Sequence, residues 1–152
     1  MPKVIVLYAA TDSTAASIAA AAAAGASEIR FTEVDVRAVG GTSGRETLES
    51  ASQLAAYDGV LLALSGSELP SEVAAAVAEL ASAGQLPNMV LGVTGTGAKA
   101  LESTARVGGI IVAEPGGADS ADRARRLGAR VAKVVGWVRH ALSHEAEHHH
   151  HH

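Results

Sequence analysis

Short apolar runs alternate with alanine-rich stretches along most of this chain. Val4-Ile5-Val6-Leu7-Tyr8 is a continuous apolar run, the pattern of a strand covered on both faces. Gly59-Val60-Leu61-Leu62-Ala63-Leu64 and Met89-Val90-Leu91-Gly92-Val93 are of the same kind, and Gly109-Ile110-Ile111-Val112-Ala113 follows them. Arg30-Phe31-Thr32-Glu33-Val34-Asp35-Val36 differs, because apolar and polar positions alternate there, as suits a strand at a sheet edge. The pattern predicts five strands, near residues 3–8, 30–36, 59–64, 89–93 and 109–113.

The intervening stretches read as helices. Thr11-Asp12-Ser13-Thr14 is a cluster of helix-capping types, a helix is expected over residues 15–24, and Gly25 is a plausible end signal. Gly40 to Gly44 reads as a loop, and Glu46 to Ala56 as a short helix. Ser71 can cap a helix reaching about Ala83, and another short helix is expected near Lys99 to Arg106. Asp119-Ser120 caps the last helix, where Ala124, Leu127, Val131, Val134, Val135, Val138 and Leu142 recur at helical spacing. Strands alternating with helices imply βαβ units and a parallel sheet. Right-handed crossovers then leave few topologies, and five strands point to the order 2-1-3-4-5, with strands 1, 3 and 4 interior. The expectation is one three-layer, doubly wound α/β domain over residues 1–145, with residues 146–152 a C-terminal purification tag ending in the run His148–His152.

Composition narrows the partners. Hydrophobic residues make up 48% of the 152 residues, charged residues 18%, and the formal net charge is -4. That balance argues against nucleic acid, whose binders carry a basic patch or stripe. The chain has no cysteine, so thiol catalysis and thiolate metal sites are excluded. No apolar run is long enough to span a membrane, and Met1-Pro2-Lys3 leads into a short strand rather than a signal-peptide core, so a cytoplasmic protein is expected. Aromatic residues are only 3% of the chain, which leaves a ligand site short of stacking surfaces.

In such sheets a ligand sits beyond the carboxyl ends of the strands, where the strand order reverses. Here that is the crevice between strands 1 and 3, approached by the loops Ala9–Thr14, Ser65–Pro70 and Thr94–Ala98. In the first loop, Thr11, Ser13 and Thr14 supply hydroxyls beside the positive end of a helix, a setting for a phosphate. Asp12 would repel that phosphate, and Asp12 or Ser13 could equally serve as a helix cap alone. Thr94-Gly95-Thr96-Gly97 permits close backbone approach to a ligand, or makes a tight turn and nothing more. Lys99 does not stand at the spacing of a nucleotide-binding P-loop. Ser65-Gly66-Ser67 has no histidine base in an obvious position, and strands ending in Leu64 and Tyr8 lack the aspartates of a phosphoacceptor. His140 and His144 are one turn apart and read as solvated helix-end residues rather than metal ligands, and Arg123, Arg126, Arg130 and Lys133 read as a solvated helical face, with a partner site as the alternative.

These segments together resemble the flavodoxin-like superfamily, most closely the WrbA-type NAD(P)H:quinone oxidoreductases, over nearly the whole chain without its tag. The first strand and helix, through Gly25-Ala26-Ser27, look like that family's. Tyr57-Asp58-Gly59-Val60-Leu61-Leu62 resembles its third strand, and Val93-Thr94-Gly95-Thr96-Gly97 its glycine-rich loop. The resemblance implies FMN as cofactor. Its phosphate would lie against Ala10, Thr11, Asp12, Ser13, Thr14 and Ala15. Its ring would lie near Ser65, Gly66, Ser67 and Leu69 and near Thr94, Gly95, Thr96 and Gly97. The chain departs from the family in the second loop, where Ser67-Glu68-Leu69-Pro70-Ser71-Glu72 replaces a segment with an arginine and an aromatic. Weak FMN binding is therefore expected, by a homo-oligomer taking a small-molecule ligand. The alternative is a flavin-free domain acting in binding or assembly. No residue is assigned to catalysis.

Overall fold

The computed structural model describes residues 2–10, 13–39, 51–64, 71–82, 88–94, 110–112 and 121–150. Five parallel strands form its sheet: β1 (Lys3–Ala9), β2 (Glu33–Val39), β3 (Gly59–Ala63), β4 (Val90–Val93) and β5 (Ile110–Val112). Their order is β2-β1-β3-β4-β5, the order predicted from the alternation of apolar runs with helical stretches. The interior strands are the continuous apolar runs: Val4 to Leu7, Val60 to Ala63 and Val90 to Leu91 are all at most 1% exposed. An apolar run without alternation is what a strand with helices on both faces requires.

Three α-helices lie among the described residues: α1 (Ser13–Ser27), α2 (Ser71–Ser82) and α3 (Ala121–His150). α1 and α3 pack on one face over Val4, Val6, Leu61, Ala63, Val90 and Val112. The opposite face carries α2 and a 3-10 turn at Ala51–Ala56, whose Leu54 is fully buried. No helix among the described residues is long and apolar enough to cross a membrane.

Glycines set how closely α3 lies on its neighbours. A Cβ on Gly59 would come within 2.6 Å of Val135, and one on Gly92 within 2.6 Å of Val131. The two valines therefore fill notches in β3 and β4. Gly25 does not end α1, contrary to the sequence expectation; the helix continues to Ser27. A side chain on Gly25 would overlap the backbone carbonyl of Arg125, and one on Gly128 would overlap that of Ala22. Gly25 is thus a spacing residue, and the bare backbone lets two helices touch main chain to main chain.

β2 also starts three residues later than predicted. The amides of Glu28 and Ile29 donate to Gly25 and Ala26 as α1 unwinds, and Arg30 and Phe31 form the turn. Phe31 has φ 64°, a left-handed conformation that costs a side-chain-bearing residue roughly 1–2 kcal/mol. Its ring is 73% exposed, with the Arg30 guanidinium 5.4 Å from the ring centroid. The turn brings the Glu33 amide to the Pro2 carbonyl at 2.9 Å and so starts the β1–β2 pairing. The helix predicted over Glu46 to Ala56 is 3-10 in its described part, closed by a bond from the Tyr57 amide to the Leu54 carbonyl. Residues 46–50 and the helix predicted near Lys99 to Arg106 lie outside the described residues.

Candidate functional site

The strand order reverses between β1 and β3, which pair with each other while their following connections leave in opposite directions along the sheet. The carboxyl ends there are Ala9-Ala10, Leu64 and Thr94. Ala10 is exposed, and its amide donates to Val39 at 3.0 Å, one step beyond the β1–β2 ladder. α1 opens next to it with Ser13 and Thr14, both exposed, and with Ala15 buried beneath them. The first amides of a helix have no carbonyl partner within it, so this end is a natural seat for negative charge. The first turn of α1 from Ser13 on carries no acidic residue, while Asp12 precedes it in the sequence.

Thr94 has a different role from the one its loop position implies. Its hydroxyl accepts from the Leu64 amide at 2.6 Å and donates to the Leu64 carbonyl at 2.9 Å, and its own amide donates to Leu62 at 2.9 Å. Thr94 is 2% exposed, the buried polar residue of the described core. The side chain thus replaces a backbone rung and carries the β3–β4 pairing past the end of both strands. Of the other proposed contacts, Thr11, Asp12, Ser65, Gly66, Ser67, Leu69, Gly95, Thr96 and Gly97 lie outside the described residues.

A second polar group, not singled out from the sequence, stands at the β1–β2 side of the sheet. The Tyr57 hydroxyl donates to Asp35 at 2.6 Å, and Arg37 lies 4.0 Å from the same carboxylate. Burial, and then the bond to Asp35, push the Tyr57 hydroxyl up to about 12. Ile5, Arg37, Gln53, Ala56 and Tyr57 line a cavity of about 290 Å³ there. The alternation in β2 was the available signal, since it puts Asp35 and Arg37 on one face and Val34 and Val36 on the other. His140 and His144 stack with ring centroids 6.3 Å apart on exposed helix, and among the described residues no three metal-ligating side chains gather.

By sequence, the chain matches no family profile and no curated protein. By structure it is similar to a short-chain flavodoxin associated with a non-canonical PDU bacterial microcompartment, with TM-score 0.63 and 16% identity, over 89% of this chain and 99% of that one. A diflavin flavoprotein from Nostoc sp. superposes with TM-score 0.61 and 15% identity, over 94% of this chain and 97% of that one. Flavodoxin 2 from Bacillus cereus gives TM-score 0.57 and 20% identity, over 86% and 98%. The fold is flavodoxin-like. Within that fold the described part of the crevice has a polar, open side at Ser13 and Thr14. Its other side, at Leu64 and Thr94, is closed by hydrogen bonds.

Proposed function

We propose that this chain is a flavin-binding electron-transfer protein that holds FMN at the β1–β3 crevice, with an ancestry shared with quinone reductases. The observation that carries the reading is the exposed opening of α1 at Ser13 and Thr14 beside the reversal of strand order. Residues 10–15 would hold the phosphate through amides and the Ser13 and Thr14 hydroxyls, and residues 65–69 and 94–97 would flank the ring. Bound there, FMN would supply the hydride and electron chemistry, and the protein would bind and orient it. The flavodoxins it resembles in structure support the reading through their shared architecture.

Affinity is expected to be modest. Residues 65–71 contain no aromatic, and a good stacking contact contributes of order 1 kcal/mol. Titration of the protein with FMN, followed by flavin fluorescence, tests the reading. Saturable quenching in the micromolar range, strengthened by Asp12→Asn, supports it, because that change removes a negative charge beside the phosphate. No quenching at millimolar FMN favours a flavin-free domain acting in binding or assembly. One observation already favours that second reading: the Thr94 hydroxyl is engaged at both its donor and an acceptor position by Leu64.

A further inference from the structure

The β3–β4 ladder ends in a way that its register does not require. The two strands pair in parallel from Gly59 with Val90 to Leu62 with Val93, and the Thr94 amide then donates to the Leu62 carbonyl at 2.9 Å. Carried one step further, the same pattern would take the Leu64 amide to the Thr94 carbonyl and the Leu64 carbonyl to the amide of residue 96. The Thr94 hydroxyl meets both needs. It accepts from the Leu64 amide at 2.6 Å and donates to the Leu64 carbonyl at 2.9 Å.

Leu64 and Thr94 are each 2% exposed, so water cannot readily replace either bond, and the Leu64 groups need a partner inside the protein. Because a side chain satisfies them, β3 requires nothing of the backbone beyond Thr94. Both peptide groups of Leu64 are fixed by a residue thirty positions away. Residues 65–70 and 95–98, which leave the sheet here, therefore share one anchored root.

We propose that Thr94 is a positioning residue of the β1–β3 crevice: its hydroxyl ends the β3–β4 ladder and locks Leu64, which holds the end of β3 in place for the ligand and leaves the backbone after Thr94 out of the pairing. The inference rests on the FMN reading above and adds to it a side chain that acts without touching the cofactor. A strand end already held before the ligand arrives costs no ordering on binding. Without the hydroxyl, Leu64 samples frayed or over-paired arrangements. Apparent affinity then falls with the fraction of molecules whose crevice is competent.

FMN titrations of the full chain and its variants, followed by flavin fluorescence, test this, with circular dichroism showing that each variant is folded. Thr94→Val should raise the Kd about tenfold, and Thr94→Ser, which keeps the hydroxyl, should stay within about threefold of the parent. Thr94→Cys offers a weaker partner, should give an intermediate rise, and serves if Thr94→Val does not fold. Asp58→Ala is the control for lost stability alone. Asp58 precedes β3 at its other end, where it binds the Lys3 amide and Arg139, and its Kd should match the parent. Hydrogen exchange without FMN should find the Leu64 amide protected in the parent and in Thr94→Ser, and opened in Thr94→Val. The proposal alone is overturned if the parent binds FMN and the Thr94 variants bind equally well, if Asp58→Ala weakens binding as much as they do, or if Leu64 exchange is unchanged. No binding to the parent at millimolar FMN overturns the FMN reading and this inference with it.

Discussion

The Thr94 hydroxyl bonds both backbone groups of Leu64, accepting from its amide at 2.6 Å and donating to its carbonyl at 2.9 Å. Thr94→Val keeps the shape of the side chain and deletes both bonds. It leaves the Leu64 amide and carbonyl without that partner in a region almost closed to water. The expected loss is about 1–3 kcal/mol of unfolding free energy, and Thr94→Ser should recover most of it. Urea denaturation of the three proteins measures this; equal midpoints would show that the rung contributes nothing.

The glycines of α1 and α3 make opposite predictions. Gly25→Ala and Gly128→Ala each push a methyl into a backbone carbonyl, which cannot rotate away, so each should cost about 1–3 kcal/mol or more. Gly136 lies in the same helix with nothing within 4 Å of an added Cβ. Gly136→Ala should stabilise by about 0.5–1 kcal/mol through helix propensity. Thermal melts of the three variants should place Gly136→Ala above the parent chain and the other two below it.

Tyr57 gives an alkaline signature. Its folded pKa is raised from 10.0 to about 12, so the folded state favours the protonated phenol. That stabilisation is fully present below pH 10 and is lost as pH rises toward about 12. Denaturation midpoints measured across this window should fall, and Tyr57→Phe should make the fall shallower. Asp35→Asn should bring the tyrosinate absorbance transition back toward the ordinary value, because it removes a charged acceptor.

Asp58 and Arg139 should not be equivalent. The Asp58 carboxylate accepts from the Lys3 amide at 2.9 Å as well as from Arg139, and the Asp58 amide donates to the Lys3 carbonyl at 2.8 Å. Arg139→Ala removes one partly exposed ion pair, a loss of about 0–1 kcal/mol. Asp58→Ala should cost more, because the start of β1 also loses a bond. A larger loss for Arg139→Ala in chemical denaturation would reverse this ranking.

Association is tested separately. A symmetric dimer is expected, and a dimer mass by light scattering at high micromolar concentration would support it. A monomer mass there would oppose it.

The sheet was legible because an interior strand must be apolar on both faces, and the runs at Val4, Val60 and Val90 have no other use. Element ends were less legible. Gly25 carries the local mark of a helix end, but its actual constraint is Arg125, a hundred residues away, which no local pattern contains. The start of β2 was displaced for a related reason: Arg30 and Phe31 look like strand residues, yet the turn out of α1 uses them. At the crevice, the hydroxyl types at Ser13, Thr14 and Thr94 were readable. Whether a hydroxyl faces a ligand or closes a ladder depends on the strand beside it. For Thr94 that strand is β3, thirty residues away.

The main-chain contact at Gly25 and Gly128 has a mechanical consequence. Side chains can take up small shifts between helices by changing rotamer, but two backbones in contact have no such slack. At Ala22 and Gly25, α1 therefore cannot approach Arg125 and Gly128 of α3 any further, and the spacing of the two helices there is set by main chain rather than by side-chain fit.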